Sequence, residues 1–314
     1  MSKKKIIVEV PHRISGFFEI VDQVSSIPEK IGSRGAGFNL NAIGRTEIIC
    51  EPLDSIINSE CLIRINGEEL NKKAETTYSI FNKIKKLIKN QVRLEISHFF
   101  DLPVGCGYGA SGSGALGAIY GLNEILNLKL SKLECGRIAH VAEVENRTGL
   151  GTICGQLGGG LCILKEPGYP CSRENIDFPS DVVIYCGTFG MIHTKSILTD
   201  PVLNQKIKQA GSKALIKLLD NPNLETFMRA SMEFVNETKI MEILKLDNTK
   251  NLMDELNDLN IIGASMNQLG RSIYAICEKK DENDVKKIFK SKGPNITIMK
   301  TSINNKGPEI IHLE

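Results

Sequence analysis

One stretch restricts this chain more than any other: Asp101-Leu-Pro-Val-Gly-Cys-Gly-Tyr-Gly-Ala-Ser-Gly-Ser-Gly114, with glycines at 105, 107, 109, 112 and 114. Directly after it, Leu116, Ile119, Leu122, Ile125 and Leu126 recur at three- and four-residue spacing, so Ala115 to Leu126 reads as a helix. A glycine loop that opens a helix presents backbone N–H groups without partners and the positive end of the helix dipole. Glycine lets such a backbone approach an anion closely, and phosphate is the usual occupant. Gly114, Gly117 and Gly121 share one helix face. An interior glycine costs about 1 kcal/mol against alanine, so this face is read as a close packing face and not as a site.

The alternatives to a phosphate loop are weaker. Gly107-Tyr-Gly-Ala-Ser-Gly112 matches the bare dinucleotide fingerprint, but Leu130 to Val144 reads as another helix where a dinucleotide fold, and the oxidoreductases built on it, would have a strand. No lysine follows the glycines as in a Walker loop, and no protein-kinase motif lies downstream. A tight structural turn would explain the glycines but not their coincidence with a helix start and two serines.

Around this loop the chain alternates strands and helices. Ile6 to Val10 reads as a strand, Pro11 to Gly16 as a turn, and Gly32-Ser-Arg-Gly-Ala-Gly37 as a second glycine loop. Strands are expected at Thr46–Glu51, Cys61–Asn66 and Val92–Ser97, and an amphipathic helix at Thr76–Lys89. Ser131-Lys-Leu-Glu134 is a capping box opening a helix to about Glu145. The turn Thr148-Gly-Leu-Gly151 and a strand at Leu161–Leu164 follow. Gly168 to Asp181 carries little apolar pattern, which puts a domain boundary near Phe178, with domains at 1–178 and 179–314. The second part reads as a four-stranded sheet backed by helices, with a further strand at Glu309–Leu313.

These landmarks resemble the GHMP kinases, the superfamily of galactokinase, homoserine kinase, mevalonate kinase and phosphomevalonate kinase. Pro103-Val-Gly-Cys-Gly-Tyr-Gly-Ala-Ser111 is similar to the family's phosphate loop, with Tyr108 for a leucine and Ala110 for a serine. Pro11-His-Arg13 resembles the N-terminal Pro-Gly-Lys/Arg motif, and of the C-terminal glycine motif only Gly270 stands clearly in Ala264-Ser-Met-Asn-Gln-Leu-Gly270. Within the superfamily, Ile14-Ser-Gly-Phe-Phe18, Gly32 to Phe38, Leu102 to Gly112, Thr148 to Gly151 and Ala264-Ser-Met266 are most like the archaeal pantoate kinases. The resemblance implies an α+β two-domain fold, with an N-terminal domain like ribosomal protein S5 domain 2 and a ferredoxin-like C-terminal domain. It implies ATP and Mg²⁺ as cofactors and phosphorylation of (R)-pantoate to (R)-4-phosphopantoate in coenzyme A biosynthesis. Homoserine, shikimate and mevalonate stay open as other acceptors, and a nucleotide-binding sensor without catalysis as the reading from another class.

The resemblance also implies roles, residue by residue. Pro103, Gly105, Gly107, Tyr108, Gly109, Ala110, Ser111 and Gly112 would bind ATP, and Ser111 would reach the metal, its other reading being a helix N-cap. Glu143 would be the second metal ligand, with Glu145 as the alternative. Arg13 matches the catalytic Lys/Arg, where a guanidinium can bridge two oxygens. Arg34 would anchor the substrate carboxylate, beside Gly35, Thr148, Gly149 and Thr152. His12 is carried as a substrate-side residue, with a structural hydrogen bond in the turn as its other reading. The aspartate that serves mevalonate and galactokinases as base has no counterpart at Gly151-Thr152, so no base is named.

The bulk properties agree. A net charge of +2 points to neither nucleic acid nor a membrane surface, and no apolar run is long enough to span a bilayer. Nine cysteines without a Cys-x-x-Cys pair suggest reduced thiols and a cytoplasmic setting. A homodimer is left open.

Overall fold

The computed structural model describes residues 3–22, 26–53, 60–192, 197 and 200–313. Two long strands, β1 (Lys4–Val21) and β2 (Gly32–Pro52), pair antiparallel along almost their whole length. They replace the turn expected at Pro11 to Gly16 and the loop expected at Gly32 to Gly37. The reason is close approach. A Cβ on Gly35 or Gly37 would run into the main chain of Phe17 or Ile14 across the pair. Glycine here serves strand pairing, not a turn.

The first half of the chain adds β3 (Glu60–Ile65), β4 (Glu68–Glu69), α1 (Glu75–Ile84), β5 (Val92–Phe100), α2 (Ala110–Ile125), α3 (Lys132–Asn146), α4 (Thr152–Gln156), β6 (Leu161–Leu164) and β7 (Arg173–Ile176). β5 pairs the C-terminal half of β2, and β6 pairs its N-terminal half. α2 lies on this sheet through its glycine face. Gly117 is seated on Thr46 and Gly121 on Ile48 and Val8, with no space for a Cβ at either. The packing-face reading therefore holds. The capping box opens α3, with Ser131 Oγ accepting from Glu134 N at 3.2 Å and Glu134 Oε2 accepting from Ser131 N at 2.8 Å.

The second half runs β8 (Val182–Thr188), α5 (Pro201–Asp220), α6 (Leu224–Thr238), α7 (Ile240–Ile243), α8 (Asp247–Asn257), β9 (Gly263–Met266), β10 (Ser272–Glu278), α9 (Glu282–Ser291) and β11 (Thr297–Thr301). Its sheet is antiparallel in the order β11-β8-β10-β9, with helices in the first and last connections, which is the ferredoxin-like arrangement. The tail strand β12 (Glu309–Leu313) does not extend this sheet. It pairs with β1, so the chain ends on the sheet where it began.

There are two main cores, and the long strands belong to both. Ile6, Val8, Val10 and Ile48 pack under α1 to α3 with Leu94, Ile96 and Leu116. Further along the same strands, Ile14, Phe17, Phe18, Ala36 and Phe38 pack against Phe227, Phe234 and Tyr274 of the second half. The β1–β2 register shifts between Pro11 and Arg13 and again between Ser15 and Phe17, where the strands pass from one core to the other. Such bulges bend a strand and re-aim its side chains.

The expectation of reduced thiols fails at one place: Cys154 and Cys171 form a disulfide, while Cys50, Cys61, Cys106, Cys135, Cys162, Cys186 and Cys277 are free. The two sulfurs are seventeen residues apart, and folding brings them together between α4 and the segment after β6. Among the described residues, no helix is long and apolar enough to cross a membrane.

Two histidines are buried neutral in the sheet. His98 pairs its ring nitrogens with Thr46 Oγ1 at 2.9 Å and Thr77 Oγ1 at 3.0 Å, and burial pulls its pKa down to about 4. His12 is likewise pulled down to about 4 by burial, partly opposed by its hydrogen bond to Tyr108 and by Asp101. The unfolded chain takes up these protons near pH 6.5, before the folded one does. The histidine contribution to stability is therefore complete above about pH 6.5 and is lost as pH falls toward 4. Urea midpoints between pH 7.5 and 4.5 should decline across that window, and less steeply in His98→Gln. An unchanged slope in the variant would assign the decline to other groups.

Candidate active site

The loop before α2 turns on three left-handed glycines, Gly105 (φ 76°), Gly107 (φ 86°) and Gly109 (φ 67°). Gly109 is the N-cap of α2 and supplies no side chain, so no side chain caps the first N–H groups of the helix, whose residues Gly109, Ala110 and Ser111 line the cavity in front of it. The loop is held from beneath. The Tyr108 carbonyl accepts from Arg13 N at 3.0 Å and from His12 Nδ1 at 2.9 Å. Gln156 Nε2 donates to the carbonyls of Pro11 at 2.9 Å and Gly109 at 3.0 Å. From the second half, Ser272 Oγ donates to Cys106 O at 2.7 Å. Gly107 lies so near Gln268 O, at 2.8 Å from where its Cβ would be, that only glycine fits. Tyr108 turns its ring into the core and hydrogen-bonds with Thr188 Oγ1 at 2.7 Å, filling the place of the family leucine.

A cavity of about 500 Å³ opens in front of this loop. Of the residues singled out in the sequence, Arg13, Arg34, Gly35, Gly105, Gly107, Tyr108, Gly109, Ala110, Ser111, Thr148, Gly149 and Thr152 line it. Pro103, Gly112, His12 and Glu143 do not. Gly112 lies behind the loop, 2.5 Å from Gln156 Oε1 at the position a Cβ would take. His12 is fully buried, and its ring serves the Tyr108 carbonyl, so it supports the loop and does not meet a substrate in the cavity.

Ser111 and Glu143 meet. Ser111 Oγ donates to Glu143 Oε1 at 2.5 Å, and Thr148 Oγ1 donates to the same oxygen at 3.1 Å. Ser111 lies in the first turn of α2, not at its N-cap. Glu143 is 1% exposed, and burial pushes its pKa up to about 7 against the pull of the Ser111 and Thr148 hydrogen bonds. Its Oε2 is buried without a partner, and a Cβ on Gly149 would strike it. Glu145 instead pairs with Lys83 at 2.7 Å at the surface. One hydroxyl and one spare carboxylate oxygen are the hard donors Mg²⁺ prefers, and it commonly completes its shell with phosphate and water. No cluster of three or more His, Cys, Asp or Glu among the described residues offers a rival metal site.

Arg13 is 3% exposed, yet no described carboxylate forms an ion pair with it. Its Nη1 donates to Asn39 Oδ1 at 3.3 Å and its Nη2 to Cys162 Sγ at 3.5 Å. The guanidinium lies flat on Gly155, which has no room for a side chain. Burial raises the Cys162 thiol pKa, but Arg13 and Arg173 outweigh it and hold the thiol below its ordinary range. Arg34 stands on β2, where Nε and Nη2 donate to Glu19 Oε2 at 3.0 and 2.7 Å. The lining also holds an apolar wall of Phe17, Phe18, Ala36 and Leu164. Lys73, Arg147 and Gln268 line the cavity too and were not singled out in the sequence, which gives no spacing signal for them.

Residues 75–160 match the family described as GHMP kinases N terminal domain. The chain is 33% identical over 282 residues to a pantoate kinase of Methanocaldococcus jannaschii, covering 90% of this chain and 96% of the relative. It is 29% identical to a pantoate kinase of Thermococcus kodakarensis, covering 89% and 90%. A solved structure described as a phosphotransferase related to the CoA biosynthesis pathway superposes with a TM-score of 0.84, at 27% identity over 98% of both chains.

If Ser111 and Glu143 hold a cation together with nucleotide phosphates, Glu143→Gln should weaken it. Mn²⁺ binding in the presence of nucleotide, followed by electron paramagnetic resonance, should loosen at least about 10-fold. The melting temperature should stay or rise, because the variant removes a charge whose burial is unfavourable. Unchanged Mn²⁺ binding would refute the assignment.

Proposed function

The chain belongs to the GHMP kinases, and on that premise we propose that it transfers the γ-phosphoryl group of ATP to the primary hydroxyl of (R)-pantoate, giving (R)-4-phosphopantoate for coenzyme A biosynthesis. What carries the reading is one cavity lined by the start of α2, by Ser111 with Glu143 hydrogen-bonded behind it, and by a buried arginine without a carboxylate partner among the described residues. The similarity to pantoate kinases along nearly the whole chain supports the choice of acceptor.

Phosphoryl transfer asks a protein mainly for positioning and for stabilising charge. The amides from Gly107 to Gly112 hold the phosphate oxygens. Ser111 and Glu143 would hold Mg²⁺, which would supply positive charge against the phosphates. Arg13 faces the transferring group, where its charge acts most strongly because it is buried and no described carboxylate pairs with it. Arg34, oriented by Glu19, receives the substrate carboxylate. Phe17, Phe18, Ala36 and Leu164 face the two methyl groups that pantoate carries beside its reacting carbon. Among the described residues, the cavity lining offers a single carboxylate, Glu75. Its residue is exposed, so no side chain is assigned as base.

ADP release from ATP and Mg²⁺, tested with pantoate, mevalonate, homoserine and shikimate in parallel, should be stimulated strongly by pantoate alone. Faster turnover with another acceptor would move the substrate assignment, and nucleotide binding without any turnover would favour a sensor. Arg34→Ala should raise KM for pantoate about 10–100-fold, the equivalent of one charge-assisted hydrogen bond, and leave KM for ATP nearly unchanged. Equal effects on both would make Arg34 structural.

Arg13→Ala should instead lower kcat by about 10²–10³-fold with ATP affinity largely kept, as for the loss of one preorganised electrostatic donor. Arg13→Lys should recover part of that loss, since it keeps the charge and loses the fork. Near-normal turnover in Arg13→Ala would remove Arg13 from the mechanism.

A further inference from the structure

Gln268 is an unexplained polar residue of the cavity wall. It is 3% exposed and lines the cavity together with Arg13, Ser15 and Phe17. Its side-chain nitrogen is fully committed, donating to Gly16 O at 3.0 Å and to Met266 O at 3.1 Å. This fixes the amide. The opposite flip would set the oxygen against two carbonyls, so Nε2 belongs where it stands. Its main-chain N–H donates to Ser15 O at 3.2 Å, which ties the residue to β1 two positions beyond Arg13. Its Oε1 is buried and has no hydrogen-bond partner among the described residues.

An acceptor buried and left unpaired costs free energy comparable to a lost hydrogen bond. Ligand pockets place a small number of polar groups in mostly apolar walls, and these fix the ligand's orientation. A free acceptor calls for an O–H or N–H group and disfavours a carboxylate or phosphate oxygen. The Arg34 guanidinium and the helix N-terminus of α2 already offer the positive sites for those anions. The acceptor substrate of the proposed reaction has one donor besides its reacting hydroxyl, the hydroxyl on the carbon next to its carboxylate.

We propose that Gln268 Oε1 accepts a hydrogen bond from this non-reacting hydroxyl and makes Gln268 a specificity-determining residue. The inference rests on the kinase reading above. A site that hydrogen-bonds a hydroxyl rejects an analogue without it more strongly than an apolar pocket rejects a misfit, because the buried partner is then left unpaired.

The test pairs two substrates with two proteins. The substrates are pantoate and 4-hydroxy-3,3-dimethylbutanoate, which keeps the reacting hydroxyl and lacks the other. The proteins are the full chain and Gln268→Met. In the unaltered protein, loss of the hydroxyl should lower kcat/KM about 10–100-fold. In Gln268→Met the same loss should cost less than about 3-fold, since the acceptor is gone. A variant that slows both substrates by the same factor would make Gln268 purely structural and overturn the proposal. So would an unaltered protein that uses both substrates equally well, a result that stands even if Gln268→Met does not fold. No turnover of pantoate by the unaltered protein would overturn the kinase reading, and this inference with it, through a different observation.

Discussion

The site depends on how one main-chain carbonyl is held. Tyr108 O takes hydrogen bonds from Arg13 N and from the His12 ring, so the middle of the glycine loop is fastened to β1 where the strand bulges. Gln156 adds a second tie, bridging Pro11 O and Gly109 O. With the carbonyls engaged beneath, the N–H groups at the start of α2 are left facing the cavity. Donors fixed in this way need little reorganisation when charge arrives. His12 donates to this carbonyl from Nδ1, and its burial keeps the ring neutral at physiological pH.

The same bulge decides where Arg13 points. β1 and β2 serve one core with their first halves and another with their second. The crossing point cannot continue either apolar stripe, and that is where the strand sets its arginine. A guanidinium that is 3% exposed with only an amide oxygen and a thiol sulfur as acceptors is poorly compensated for the water it has lost. An anion in the cavity relieves that cost, so binding and stability are linked at this residue. The Glu143 carboxylate is the mirror case, buried with one oxygen satisfied and one not.

What the sequence made legible was local. The glycine loop, the periodicity of α2 and the capping box of α3 each follow from neighbours within a few residues, and each is present in the structure, although α2 begins at Ala110, five residues before the expected start, so that Gly112 and Gly114 lie in the helix and not in the loop. In β1 and β2 the glycines and the proline read locally as punctuation, yet they stand inside long paired strands. The cause, the approach of Gly35 and Gly37 to the facing strand, lies about twenty residues away in the chain. Glu143 and Glu145 look alike in sequence. Two residues apart on a helix, their side chains point about 200° apart, and only packing decides which meets Ser111. Gln156, Gln268 and the Cys154–Cys171 pair had no spacing signature, because each acts on a partner the fold alone brings near.

The missing base becomes less of a gap in light of these contacts. An attacking hydroxyl needs early deprotonation only when bond formation runs ahead of bond cleavage. In a loose phosphoryl transfer, cleavage leads and the hydroxyl keeps its proton until late, when the phosphate itself can accept it. Such a reaction gains most from charge placed against the transferring oxygens, and little from a carboxylate beside the nucleophile. The lining is of that kind: it holds a buried guanidinium and the residues that start α2 and, among its described residues, one carboxylate, Glu75. A buried carboxylate beside Arg13 would pair with it and offset its charge. The replacement of the family aspartate by Gly151-Thr152 therefore leaves Arg13 unneutralised, consistent with electrostatic stabilisation as the main source of rate.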